Sequence, residues 1–245
     1  MPEDQSEKQP IPVQRDCATT QWSVVMAAGK DRHNDAHEAL SRLCETYWYP
    51  LYAYVRRRTN EDEARDLTQS FFAHLLAKNT VAAADQTRGR FRAFLLSALK
   101  NFLSNEWEKE RTMKRGGGAT QLSLDFEDCD SRLRIEPSVG ETPEHLYERQ
   151  WAMALLDRVL AQLREEYVTA DKERQFDLFK PFIAGAGGDY QAAGKELGWT
   201  DNAVRVATHR LRGRYRELLR AEIAHTVGSP DDVDDEIRWL FQVLG

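Results

Sequence analysis

Cysteine is scarce in this chain. Cys17, Cys44 and Cys129 are the only three among 245 residues. They are odd in number, far apart and form no CxxC pair, which excludes a disulfide framework. His33 and His37 could join Cys44 as metal ligands, but a fourth ligand at useful spacing is missing. The simpler reading is exposed polar positions and a core thiol, with no metal. No apolar run approaches the roughly 20 residues that span a bilayer. The chain also lacks a phosphate-binding glycine loop, an HExxH and a GxSxG. The acidic run DDVDDE and the lone His209 have no converging partners. Neither an enzyme nor a cofactor is therefore expected. Strand patterning is nearly absent too; Leu122, Leu124 and Phe126 alternate over one short stretch. The opening MPEDQSEKQPIPVQRD is polar, acidic and proline-containing, unlike a secretory or transit peptide. A disordered lead-in over 1–20 and a cytoplasmic location are expected.

What the sequence has is helical periodicity and an uneven distribution of charge. Apolar residues recur at helical spacing over about 35–58, where Pro50 predicts a kink, and over 61–77 and 89–112. Gly116, Gly117 and Gly118 then break the pattern. A new helix is signalled by Thr142, Pro143 and Glu144 as cap, first position and acidic first turn. Its stripe is Ala152, Leu155, Leu156, Val159 and Leu163. Helices over about 172–184, 189–196 and 201–226 follow. Ser229 to Asp232 cap a last one, striped by Val233, Ile237, Leu240, Phe241 and Leu244. The expected fold is all-α. It comprises two small helical domains, 21–115 and 142–228, joined by a flexible linker over 116–141, with a short amphipathic helix at 229–245.

The net charge of −6 conceals strong local differences. Arg88 to Arg115 hold eight basic and three acidic residues, or +5. Gln121 to Gln150 hold eight acidic residues and three Arg, or −5. Asp201 to Arg220 hold six Arg, one Asp and one Glu, or +4. Ala221 to Gly245 hold six acidic residues and one Arg, or −5. Two cationic helices separated by an acidic tether point to nucleic acid, because the charge of each domain governs that contact.

The second cationic stretch has the spacing of a helix-turn-helix. Gly198 supplies the left-handed turn, and Gly194 lets the two helices cross closely. Ala193, Leu197, Trp199 and Val204 provide apolar contacts between them. Wound at 100° per residue, Val204, Ala207, Leu211, Tyr215 and Leu218 face inward. Asn202, Arg205, Val206, His209, Gly213 and Arg216 face out, with Arg212 at the edge. Arg and Asn can reach base edges, and an apolar residue can meet a thymine methyl. Arg210 and Arg214 flank the core stripe and suit phosphates. Thr200 can cap the helix or bond a phosphate.

The helix from Phe91 turns Phe91, Phe94, Leu95, Ala98, Leu99 and Phe102 inward. Ser97, Lys100, Asn101, Ser104 and Arg111 face away, leading towards Lys109, Lys114 and Arg115. This face suits a phosphate backbone. Trp107 can stack on an unpaired base or join the core. In the preceding helix Leu67, Phe71 and Leu75 point inward, while Asp62, Asp66, Gln69 and Ala73 share the other face. That acidic face suits a basic protein partner or plain solvent.

DEARDLTQSFFAHLL followed by FRAFLLSALKNFLSNEWEKERTMKR resembles regions 2.2 to 2.4 of bacterial RNA polymerase sigma factors. YQAAGKELGWTDNAVRVATHRLRGRYRELL resembles their region 4.2. With no third domain between, the arrangement is similar to the extracytoplasmic-function group, over about 35–115 and 145–225. The resemblance implies that Asp62, Asp66 and Gln69 dock on a coiled coil of the polymerase β′ subunit. It implies −10 contacts by Lys100, Asn101, Ser104, Asn105, Lys109, Arg111, Lys114 and Arg115. It implies −35 contacts by Thr200, Asn202, Arg205, Val206, His209, Arg210 and Arg212. The linker would thread the RNA exit region, and its negative charge would mimic the RNA it yields to. Core polymerase (β′ and β) and promoter DNA are the implied partners, an anti-sigma protein or a Ser/Thr kinase the candidate regulators. The free chain is expected to be a monomer. A stand-alone helix-turn-helix regulator, dimeric on a palindrome, is the alternative. The long segment EYVTADKERQFDLFKPFIAGAGGD and the tail SPDDVDDEIRWLFQVLG depart from the minimal two-domain pattern. The tail is expected to pack on its own domain, or to shield Arg-rich surfaces.

Overall fold

A computed structural model describes residues 46–77, 90–112, 140–183 and 187–245. Segment 1–20, all three cysteines, His33, His37, Lys114, Arg115 and residues 116–139 of the expected linker lie outside the described residues. Apart from turns and one 3₁₀ segment, the described structure is α-helical and contains no strand.

Helix α1 (46–56) continues through Pro50. Tyr47, Leu51, Tyr52, Tyr54 and Val55 are buried, so apolar surface covers most of its circumference. Helix α2 (Glu61–Ala77) matches the expected span. Asn60 caps it by accepting from the Glu63 N–H at 3.0 Å. Glu61, Asp62 and Glu63 complement the positive end of its dipole. Ala64, Thr68, Phe71, Phe72 and Leu75 are its buried face. Thr68 adds no unsatisfied polar group there, because its hydroxyl donates to the Ala64 carbonyl at 2.7 Å. Helix α3 (Phe91–Thr112) closes this block. Phe71 meets Phe102 at 5.7 Å between ring centroids, and Tyr47 meets Phe91 edge-on at 5.3 Å.

Helix α4 (Pro143–Thr169) starts as the sequence predicts. Thr142 accepts from the His145 N–H, and Pro143 occupies the first position. Ala152, Leu155, Val159 and Leu163 are buried, joined by Leu146, Tyr147, Gln150 and Trp151 from earlier turns. The helix packs against α5 (Glu173–Ile183), α7 (Asp201–Ala224) and α8 (Val233–Leu244). Helix α6 (Tyr190–Leu197) packs across α7. The segment 166–189 that departs from the two-domain pattern supplies the last residues of α4 and then α5, which buries Phe176, Phe179 and Phe182.

The described residues before Gly116 and those from Gly140 onward contribute to a shared buried cluster. Hydrogen bonds cross the seam. The Tyr147 hydroxyl donates to the Arg92 carbonyl at 3.0 Å, and the Phe91 N–H donates to the Thr226 carbonyl at 3.0 Å. Arg158 donates to the Thr46 hydroxyl at 2.8 Å.

The expected stripe of the last helix is corrected in one respect. Val233 and Leu240 are buried, and Ile237 and Leu244 are half-buried, but Phe241 is 58% exposed. Glu236 is fully buried instead. The cause is electrostatic: α8 presents Glu236 to Arg90 and Arg92, and this pairing sets its rotation more strongly than the apolar period.

The helix crossing at Gly194 is sterically tight. A Cβ there would lie 2.8 Å from the Trp199 carbonyl oxygen and 3.6 Å from Val204 Cγ2. Alanine would gain up to about 1 kcal/mol in helix propensity. Overpacking against fixed backbone costs about 1–3 kcal/mol, so the clash should win. Gly194→Ala is expected to lower the urea midpoint with an unchanged m-value; an equal or higher midpoint would contradict the tight crossing.

Candidate nucleic-acid interface

The turn between α6 and α7 consists of Gly198, Trp199 and Thr200. Gly198 has φ 69°, the left-handed conformation expected of it, and its N–H caps α6 by donating to the Gly194 carbonyl. Asp189 caps the start of α6 through the Gln191 and Ala192 N–H groups. Thr200 caps α7, accepting from the Ala203 N–H at 3.3 Å. Of the two roles expected for Thr200, the structure displays capping. Trp199 is less buried than the sequence reading has it. It is 37% exposed, with its ring 6.1 Å from Phe179.

On α7 the inward residues are Val204, Thr208, Leu211, Leu218, Leu219 and Ile223. Ala207 and Tyr215 are half-buried. Thr208 was not expected in this stripe; its hydroxyl donates to the Val204 carbonyl at 3.0 Å and so tolerates burial. Asn202, Arg205, Val206, His209 and Arg210 are all exposed, the last four forming the outward surface of two successive turns. Val206 is 44% exposed. The Arg205 guanidinium lies 4.2 Å from the centre of the Tyr190 ring, which orients it without consuming its donors.

The arginines of α7 divide into two groups. Arg214 is gripped by Glu166 through Nη2 at 2.6 Å and Nε at 2.9 Å, and it also pairs with Glu217 at 3.0 Å. Those hydrogen bonds raise the Arg214 pKa and lower that of Glu166. Arg220 pairs with Asp234. Arg212 is half-buried and donates from Nε to the Phe182 carbonyl at 2.9 Å. No carboxylate among the described residues pairs with Arg205, Arg210 or Arg216. The phosphate role expected for Arg214 thus competes with a bidentate internal pair, whereas Arg210 carries no such pair.

Helix α3 presents the second surface. Lys100, Asn101, Ser104, Asn105, Lys109 and Arg111 are all exposed. Phe91, Leu95, Leu99, Phe102 and Leu103 are buried on the other side. Trp107 is half-buried and packs on the core. Lys109 pairs locally with Glu106 at 2.6 Å. Lys100 reaches across the seam to Glu144 at 2.9 Å. Arg58 and the Tyr54 hydroxyl approach the same carboxylate at 3.4 and 3.3 Å. The hydrogen bond from Lys100 pulls the Glu144 carboxyl down to about 2. On α2, Asp62 and Asp66 are exposed and Gln69 is half-buried.

Sequence reasoning missed a buried ionic cluster behind the start of α3. Glu236 Oε2 lies 2.6 Å from Arg90 Nε and accepts from Arg92 Nη2 at 3.2 Å. Arg92 Nε is 2.9 Å from Oε1, although poorly aligned for a hydrogen bond. The Arg92 guanidinium lies 3.3 Å from the Trp239 ring centre and 5.2 Å from that of Trp151. Burial lowers the Arg92 pKa and raises that of Glu236, against the mutual attraction of the charges. Among the described residues no group of His, Cys, Asp and Glu could hold a metal ion.

The seam at Glu144 should respond to acid. Its folded pKa lies below the unfolded value of 4.5, so its contribution is complete above about 4.5 and is lost as pH falls towards about 2. The side chain is 38% exposed, and screening limits the contribution to about 1 kcal/mol. Denaturant melts of the native chain and Glu144→Gln should differ at pH 7 and converge near pH 2. A constant difference across that range would refute the assignment.

No family model, curated protein or solved structure matches the chain.

Proposed function

We propose that the chain is a sigma factor of the extracytoplasmic-function type, binding core RNA polymerase and directing promoter-specific initiation. The observation that carries this reading is the α6–turn–α7 unit. Its first exposed turns offer Arg205, Val206, His209 and Arg210, which have no carboxylate pair among the described residues. A helix presenting Arg, His and an apolar residue together can read base edges in a major groove. The second support is the exposed polar and basic face of α3, which suits the −10 element. The third is the exposed Asp62 and Asp66 on α2, suited to a basic surface of β′. On this reading 21–115 and 142–228 are separate DNA-engaging units, 116–141 is their tether, and 229–245 is an accessory helix. No helix among the described residues is long and apolar enough to cross a membrane, and the proposed workplace is the cytoplasm. Free of polymerase, the chain would be monomeric.

Run-off transcription with purified core polymerase on genomic fragments tests the proposal. The chain should direct initiation from discrete start sites. Arg205→Glu together with Arg210→Glu should reduce it at least about tenfold, equivalent to about 1.4 kcal/mol. Both residues are exposed, so circular dichroism should be unchanged. Unaided, specific duplex binding with no polymerase-dependent transcript would favour a stand-alone regulator instead.

A further inference from the structure

We infer that helix α8 is an intramolecular latch, clamping the start of α3 onto α4 and thereby holding the two cationic surfaces in a closed arrangement. Glu236 is fully buried, yet its cationic partners come from far earlier in the chain: Arg92 of α3, 144 positions before it, and Arg90 just ahead of that helix. Trp239 covers the Arg92 guanidinium at 3.3 Å and meets Trp151 of α4 at 5.8 Å between ring centres. Arg92 is thus enclosed by two helices from the other block, with its carbonyl accepting from Tyr147. Asp234 pairs with Arg220 of α7 and anchors the first turn of α8.

The arrangement has the properties of a releasable element. α8 is short, spanning Val233–Leu244, and follows a 3₁₀ turn at Pro230–Asp232. Its outer surface is polar except for the exposed Phe241. Ile237 and Phe241 also form one wall of a cavity of about 700 Å³, opposite Leu156, Leu160, Tyr215 and Leu219. A buried ion pair adds little net stability over an apolar contact of similar volume. Loss of the carboxylate leaves Arg92 enclosed without a countercharge and favours separation. In the closed state Lys100, an expected DNA contact, is held by Glu144 of the other block. The consequence for DNA rests on the proposed function: a chain that must open before both surfaces engage one promoter binds it more weakly by the open fraction.

Hydrogen exchange on the full chain, read by mass spectrometry, tests the latch. In Glu236→Gln, Trp239→Ala and a deletion of 229–245, protection should fall at 90–95 and 144–151, while α6 and α7 stay protected. X-ray scattering should show a larger radius of gyration. Unchanged protection and radius in all three variants would overturn the inference. So would loss of protection throughout, including α6 and α7, because α8 would then serve general stability. If the seam opens, affinity for promoter DNA with core polymerase should rise about tenfold for a closed state holding about nine-tenths of molecules. Opening without that gain leaves the latch standing and counts against the promoter reading.

Discussion

A carboxylate buried between two guanidinium groups is the constraint on which this architecture turns. While the seam is closed, removing either side of the Glu236 pair strands a charge in the interior, which costs about 3–5 kcal/mol. That penalty fixes the rotation of α8, which in turn places Trp239 on Arg92 and leaves Phe241 at the surface. It also fixes where α3 begins relative to α4, because the Arg92 carbonyl and the Phe91 amide are both held across the seam. The tail therefore organises the contact between the two helical blocks as well as packing on its neighbours.

The same economy of charge explains the uneven use of arginine in α7. An acidic chain needs cations for its own scaffold and, on the proposed function, for a polyanion. Arg214 and Arg220 are committed to Glu166 and Asp234, and Arg212 to the end of α5. Arg205 and Arg210 remain on the exposed turns next to the cap at Thr200. Net charge conveys none of this. The relevant quantity is which cations lack an internal carboxylate.

Much of the fold is legible in the sequence because local chemistry dictates it. The capping group Thr142, the proline after it, Glu144 in the same first turn and the left-handed Gly198 each act within a few residues of themselves. Apolar periodicity likewise identifies part of each buried face: Phe71 and Leu75 of α2, Phe91, Leu95, Leu99 and Phe102 of α3, and Ala152, Leu155, Val159 and Leu163 of α4, whereas Leu67, Phe94, Ala98 and Leu156 are half-buried. Three features escape such reading. Thr68 and Thr208 are polar by type but bond their own helix, so burial costs them little. Arg92 and Glu236 read as solvated charges on helices of high charge density, and only tertiary proximity makes them a core pair. Phe241 reads as core and is exposed, because the pair sets the register of its helix. In the candidate interface, the outward positions of Arg205, Val206 and His209 followed from periodicity, which placed Arg210 only beside the core stripe. The commitment of Arg212 and Arg214 did not, since it depends on residues 30 and 48 positions away.

The functional account joins these strands. Two exposed polar and basic faces, on α3 and α7, belong to helices whose other sides share a core, while carboxylates stand out on α2. On the proposed function, such a chain bridges a duplex and core polymerase. The most direct test is size-exclusion chromatography of the purified chain with core RNA polymerase. The account predicts a stoichiometric complex that forms with the native chain and weakens when Asp62 and Asp66 are both replaced by Lys. Separate elution of the native chain from core polymerase under conditions where both are folded would contradict it.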